Sequence, residues 1–144
     1  MIAVDTNLLV YAHREDSSWH EAAYRKIAGL AEGRAPWAIP WPCVHEFIAI
    51  VTHPRIYSPP TPLTAAIDQA EAWMESPSLV LLAETEGYWP ELRSVLEQGR
   101  IAGPQVHDAR VAAICRDHGV RELWTVDRDF GRFPTLPVRN PLIG

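Results

Sequence analysis

The chain reads as an α/β protein: a three-layer fold with a mainly parallel central sheet of about five strands flanked by helices. Two observations lead there. Short, continuously apolar runs recur at Ile2–Val4, Trp37–Ile39, Leu79–Ala83 and Leu123–Val126, and segments of helical periodicity separate them. Unbroken apolar runs, rather than alternating ones, are the pattern of parallel strands covered on both faces. Strands alternating with helices then imply crossover connections and a mainly parallel sheet.

Each element has its own warrant. The run Ile2–Val4 predicts the first strand, closed by Asp5. Trp19, Ala22, Ala23, Ile27 and Leu30 predict a helix with one apolar face, with Ser18 and Glu21 spaced as its capping box. The strand Trp37–Ile39 leads into a helix carrying Val44, Phe47, Ile48 and Val51. Tyr57–Pro62 is predicted as a rigid loop, because its prolines fix φ and lack N–H donors. Leu63, Ala66, Ile67, Ala70 and Met74 predict the next helix, and Leu79–Ala83 the next strand. Trp89, Leu92 and Leu96 predict a shorter helix. A further helix spans about Gln105 to His118, with Ala109, Ala112 and Ala113 for close packing and Gly119 as its stop. Leu123–Val126 is the fourth strand, and Leu136–Arg139 adds an edge strand.

With 144 residues the chain suits one domain, 1–144, and at 47% hydrophobic it can bury a core without staples. Its 22% charged fraction is that of a folded protein. No apolar stretch approaches the ~20 residues that span a bilayer. Cys43 and Cys115 form no CxxC pair, and with no basic region ahead of the first strand the expected location is the cytoplasm. The net charge of −5 argues mildly against a nucleic-acid partner. Acids gathered in one cleft would produce the same total, however, and a bound metal would invert the local field.

The acids have a pattern. Asp5 and Asp127 each end a strand, Asp108 sits in the first turn of a helix, and Glu46 lies early in another. Open parallel sheets carry their sites beyond the C-terminal ends of the strands, so all four can meet at one edge. Asp129, two residues past Asp127, is a fifth candidate. Each acid alone has a plainer reading: a helix cap for Asp5, a dipole partner for Asp108, turn residues for Asp127 and Asp129, a solvated helix position for Glu46. Those readings do not explain convergence on one edge. Crowded carboxylates repel unless a cation lies among them, and hard oxygen donors suit Mg²⁺ or Mn²⁺ over Zn²⁺. Such a centre hydrolyses phosphodiesters. The expectation is that Asp5 and Asp108 hold the principal ion, that Asp127 ligates directly or through water, and that Glu46 positions or deprotonates the attacking water or helps hold a second ion. Thr6, Asn7 and Thr125 flank the acids as supporting polar groups, and Arg14, Arg110, Arg128 and Arg132 are candidates for phosphate contacts. His45, His53 and His107 have no zinc-site spacing and read as surface or supporting groups. GxSxG, GxxxxGK[ST] and GxGxxG are all absent, against a serine hydrolase or a nucleotide-binding enzyme.

Nearly the whole chain resembles the PIN-domain family, and within it the VapC-type toxin ribonucleases. MIAVDTNLLVYA resembles the family's first strand with its Asp-x-Asn, CVHEFIAIV the helix with its glutamate, and HDARVAAICRDHGVRELWTVDRDF the third-acid helix running into a T-x-D-x-D-F signature. The resemblance carries the acidic quartet onto Asp5, Glu46, Asp108 and Asp127, the last acid of the signature onto Asp129, and supporting positions onto Asn7 and Thr125. Cys43 and His45 stand where a hydroxyl residue is often found, which puts the surroundings of Glu46 in question. The resemblance implies a PIN-like fold, Mg²⁺- or Mn²⁺-dependent endonucleolytic cleavage of RNA, a homodimer, and a VapB-type antitoxin that inserts a peptide near the acids.

Two other readings remain at this stage. A haloacid-dehalogenase-type phosphotransferase also begins with a strand-end Asp, but needs a second Asp where this chain has Asn7, and Lys26 lies in an amphipathic helix. A non-catalytic PIN-type binding module would have no use for an intact quartet.

Overall fold

The computed structural model describes residues 1–143. The chain opens with β1 (Ile2–Val4) and α1 (Thr6–His13), then α2 (His20–Glu32), β2 (Trp37–Pro40), α3 (Trp41–Val51), α4 (Leu63–Met74) and β3 (Leu79–Leu82). It continues through α5 (Tyr88–Gly99), a 3₁₀ turn at Gly103–Gln105, α6 (Val106–Asp117), β4 (Glu122–Trp124), a second 3₁₀ turn at Arg128–Arg132, and β5 (Val138–Arg139). The five strands form one sheet in the order β3-β2-β1-β4-β5, and every pairing is parallel.

That order places the topological switch between β1 and β4. The chain runs outward from β1 through β2 to β3, then returns to lay β4 on the other side of β1. Loops leaving β1 and β4 diverge there and open a crevice at the strands' C-terminal ends. Asp5 follows β1, and its N–H donates to the Trp124 carbonyl at 2.9 Å, joining the two strand ends.

The core explains why the strands are apolar throughout. Every residue of β2 is buried, so both faces of the sheet centre are covered, and α3 and α6 each contact β2. Helix α1 packs against both α2 and α3, α3 against α4, and α5 against α6. β3 departs from the both-faces expectation. It has a single neighbour in the sheet, and Val80 is 41% exposed. The strand calculus of continuous apolarity does not separate an edge strand from a central one.

Helix α6 is small-residue-rich for a packing reason. Ala109, Ala112, Ala113, Ile114 and Cys115 are all fully buried, which lets its axis lie close against its neighbours. It ends in a Schellman motif: Gly119 adopts φ +66, its N–H donates to Arg116, and the Val120 N–H donates to Cys115.

Other faces follow their periodicity only in part. Trp19 precedes α2 as its cap residue and is exposed, as are Leu63, Ile67, Met74 and Trp89. Of the predicted faces, Ala23 and Ile27 in α2 and Ala66 and Ala70 in α4 are buried, Leu30, Leu92 and Leu96 pack partly buried against the core, and Trp73 and Val95 join them as buried positions the spacing did not name. The Ser18–Glu21 capping box does not form. α2 has no side-chain cap, and in the turn before it the Ser17 hydroxyl accepts from the Trp19 N–H at 3.1 Å. The Tyr57–Pro62 loop is pinned by Arg14, whose guanidinium stacks 4.1 Å from the Tyr57 ring centroid and donates to Pro59 and Thr61.

Candidate metal centre

Asp5 is set by the end of β1. At 6% exposure it is a buried carboxylate, and three donors surround it. Oδ1 accepts from the Thr6 N–H at 2.8 Å and from the Cys43 thiol at 3.6 Å, while Oδ2 accepts from the Thr125 hydroxyl at 2.7 Å. Burial raises its pKa and outweighs the opposing hydrogen bonds. Burial also pushes the Cys43 thiol well up, so it stays a proton donor beside Asp5. Cys43 therefore supports Asp5, and the question it raised about Glu46 is answered by another residue. The Thr6 hydroxyl donates to Glu46 Oε2 at 3.2 Å. Glu46 itself is exposed on α3, one position beside the buried stripe of Cys43, Val44, Phe47 and Val51.

Asp108 heads α6. It shares a face with Val111, Ala112 and Cys115, three, four and seven positions on, all buried, so the same side that packs the helix carries Asp108 to the strand ends. The helix N-terminus favours its anion. Burial, then repulsion from Asp127, Asp5, Glu46 and Asp129, opposes that and wins: its pKa is raised to about 6. Because all four other acids repel the Asp108 carboxylate, the five share one electrostatic neighbourhood.

Asp127 follows β4 through Thr125, whose hydroxyl bridges the two strand ends by donating to Asp5 and accepting from the Asp127 N–H at 3.0 Å. Asp127 Oδ1 in turn accepts from the Asp129 N–H at 2.8 Å, which starts the 3₁₀ turn and brings Asp129 back toward the sheet. Carboxylate oxygens of Asp108, Asp127 and Asp129 lie within 4.8 Å of one another. Asp129, a second-rank candidate from sequence, thus belongs to the tightest trio among the described residues, and Asp5 sits beside it, engaged by its hydrogen bonds.

The donor set fits a hard divalent cation. It consists of carboxylate oxygens from separate elements, and the raised pKa of Asp108 records the cost of crowding it with uncompensated charge. Asn7 adds a shielded Oδ1 with no hydrogen-bond partner among the described residues, an oxygen donor two positions after Asp5.

Two grooves border the acids. One, of about 510 Å³, is walled by Glu46 and Asp108 together with His45, His107 and Arg110. The other, of about 450 Å³, is walled by Thr125 and Asp127 together with Trp19, Arg128 and Arg139. Sequence reasoning missed Trp19 and Arg139 as groove residues. Proximity in sequence to an acid was its only guide, and neither has it. Of the four arginines it named, Arg14 is paired with Asp16 at 2.6 Å at a separate surface, and Arg132 donates to the Gln105 side chain. Arg110 lines the first groove paired with Glu84 at 2.6 Å, and Arg128 lines the second.

A parallel sheet with acids clustered at its switch point is an arrangement suited to holding a divalent cation. Residues 2–136 match the family model for the PIN domain, and the chain belongs to that family. Ribonuclease VapC43 of Mycobacterium tuberculosis is 32% identical over 144 residues, covering 100% of this chain and 97% of the relative. Ribonuclease VapC48 of the same organism is 29% identical over 140 residues, covering 97% of each. Among solved structures, VapBC2 from Rickettsia felis bound to a DNA fragment from its promoter superposes with a TM-score of 0.67 at 23% identity, covering 96% of this chain and 98% of that one. No helix among the described residues is long and apolar enough to cross a membrane.

Proposed function

We propose that this protein is an Mg²⁺- or Mn²⁺-dependent endoribonuclease, the toxin of a VapBC-type toxin–antitoxin pair, built as one PIN domain over residues 1–144. The observation that carries the reading is the trio Asp108, Asp127 and Asp129, with oxygens within 4.8 Å, beside the buried Asp5. The curated relatives, named as VapC ribonucleases along their whole length, support RNA as substrate.

Asp108 and Asp127 would hold the ion, with Asp5 and Asp129 completing the set directly or through water. When bound, the ion supplies charge neutralisation on phosphate oxygens and a more acidic water. Asp5 sets the floor of the site, locked by Thr6, Cys43 and Thr125. Glu46, exposed and oriented by Thr6, is placed to position or deprotonate the attacking water. Thr125 acts by holding Asp5 in place, and Asn7, with its Oδ1 unpartnered among the described residues, would orient a water at the site. The two cysteines are buried free thiols, as suits a cytoplasmic protein. A VapB-type antitoxin and a second copy of the chain are its expected partners.

The test is cleavage of total cellular RNA with added Mn²⁺ or Mg²⁺ and with chelator, with the cut ends mapped. Wild type cuts internally only with metal. Asp108→Asn loses more than about a hundredfold in rate while staying folded, beyond what loss of a supporting hydrogen bond causes. An Asp108→Asn protein with full metal-dependent activity overturns the assignment. So does hydrolysis of a small phosphomonoester in preference to RNA.

A further inference from the structure

We propose that the groove walled by Asp127 holds an unpaired nucleotide next to the scissile phosphate, with the Trp19 indole as its stacking platform and Arg128 and Arg139 against its phosphates. This deepens the reading of the acids as an RNA-cleaving centre and rests on it.

Three observations converge. First, the groove is continuous with the acids: Thr125, which donates to Asp5, and Asp127, whose carboxylate lies within 4.8 Å of that of Asp108, form part of its wall. A strand lying in it passes the catalytic carboxylates. Second, Trp19 is 44% exposed at the mouth of α2, yet its backbone is fixed. Its N–H donates to Ser17 Oγ and its carbonyl accepts from Ala23. A large flat ring held in water on a rigid backbone pays little entropy to receive a base. Third, the groove's arginines are uncommitted. Arg110 in the neighbouring groove is neutralised by Glu84, whereas neither Arg128 nor Arg139 has a carboxylate partner among the described residues. In a chain of net charge −5, two unpaired guanidiniums beside an acidic cluster supply the attraction that a polyanion needs.

The chemistry selects an unpaired strand. Every base offers a π-face, but only a splayed base exposes it, so stacking on Trp19 requires single-stranded or looped RNA. A stack of this kind is sequence-tolerant, and any base preference arises elsewhere.

The experiment measures binding and cleavage separately. Binding of a short labelled RNA to the full chain is followed by fluorescence anisotropy in an Asp108→Asn background, which leaves the RNA uncut. Adding Trp19→Ala weakens single-strand binding by roughly tenfold or more, while Trp19→Phe stays near the parent. Affinity for a duplex of the same sequence changes less than about twofold. Arg128→Ala and Arg139→Ala each reduce the slope of log K against log salt by about 0.7. Metal-dependent cleavage by the wild type is run in parallel. If it cleaves while Trp19→Ala binds single strands within twofold of the parent, or loses single strand and duplex equally, the stacking site is wrong and the catalytic reading stands. If the wild type fails to cleave while the Trp19 and arginine effects appear, the groove is a binding site and the catalytic reading is wrong.

Discussion

Asp108 is where electrostatics opposes folding most clearly. Its pKa is raised to about 6 from an ordinary 3.8, chiefly by burial and then by Asp127. A carboxyl whose folded pKa lies above its unfolded one binds more protons when folded. Its contribution to stability is therefore complete below about pH 4 and lost as pH rises through 6. With allowance for water's access to a half-buried group, about 1–2 kcal/mol is at stake. Asp108→Asn keeps the shape without the charge. In chelator, the stability of Asp108→Asn relative to wild type is expected to rise by that amount between pH 4 and pH 7, measured by urea unfolding at each pH. A difference that stays flat over this range would show that Asp108 does not feel its neighbours as described.

At the scale of elements, the ends of helices decide more than their middles. Gly119 occupies φ +66 in the Schellman turn that stops α6 and directs the chain into β4, and so toward Asp127. A Cβ there meets no atom within 4 Å, so the cost of Gly119→Ala is conformational rather than steric. About 1 kcal/mol is expected, a drop in Tm of a few degrees by calorimetry. Ser18→Ala is the contrasting case. Ser18 is exposed and takes no part in capping α2, so its replacement changes stability by less than about 0.5 kcal/mol. A large Ser18 effect would mean that the capping box forms after all. The packed faces carry the same lesson. In α4 the apolar spacing of Leu63, Ile67 and Met74 marks an exposed stripe, while Ala66, Ala70 and Trp73 do the packing. All of these but Trp73 belong to the one predicted face, and periodicity does not say which of its positions pack.

For the whole molecule, the sheet order makes the site a junction. Asp5 comes from the end of β1, Asp108 from α6, and Asp127 and Asp129 from the turn after β4, so an ion held among them would tie together segments far apart in sequence. Whatever binds the folded site and not the unfolded chain stabilises the fold by mass action. Mn²⁺ at a hundred times its dissociation constant contributes about 2.7 kcal/mol, a rise of roughly 5–10 °C in Tm for a chain of this size. In Asp108→Asn the shift shrinks to a degree or two. An equal rise in both proteins places the ion elsewhere.

Local pattern alone determined the α/β class, the strands β1 to β4 to within two residues at either end, the helix of Asp108 with its Gly119 stop, and the strand-end positions of Asp5 and Asp127. These are properties of short windows, where a 3.6- or two-residue repeat and a terminating residue suffice. Tertiary structure decided the rest. Edge exposure of β3 depends on which strand lies beside it. The burial of Asp5 under Thr125 and Cys43, the entry of Asp129 into the tightest trio, the diversion of Arg14 to Tyr57, and the emergence of Trp19 beside Asp127 all depend on which side chains arrive from other elements. Short-range periodicity carries no information about those arrivals, because burial, charge repulsion and hydrogen-bond partnership are set by distance in space.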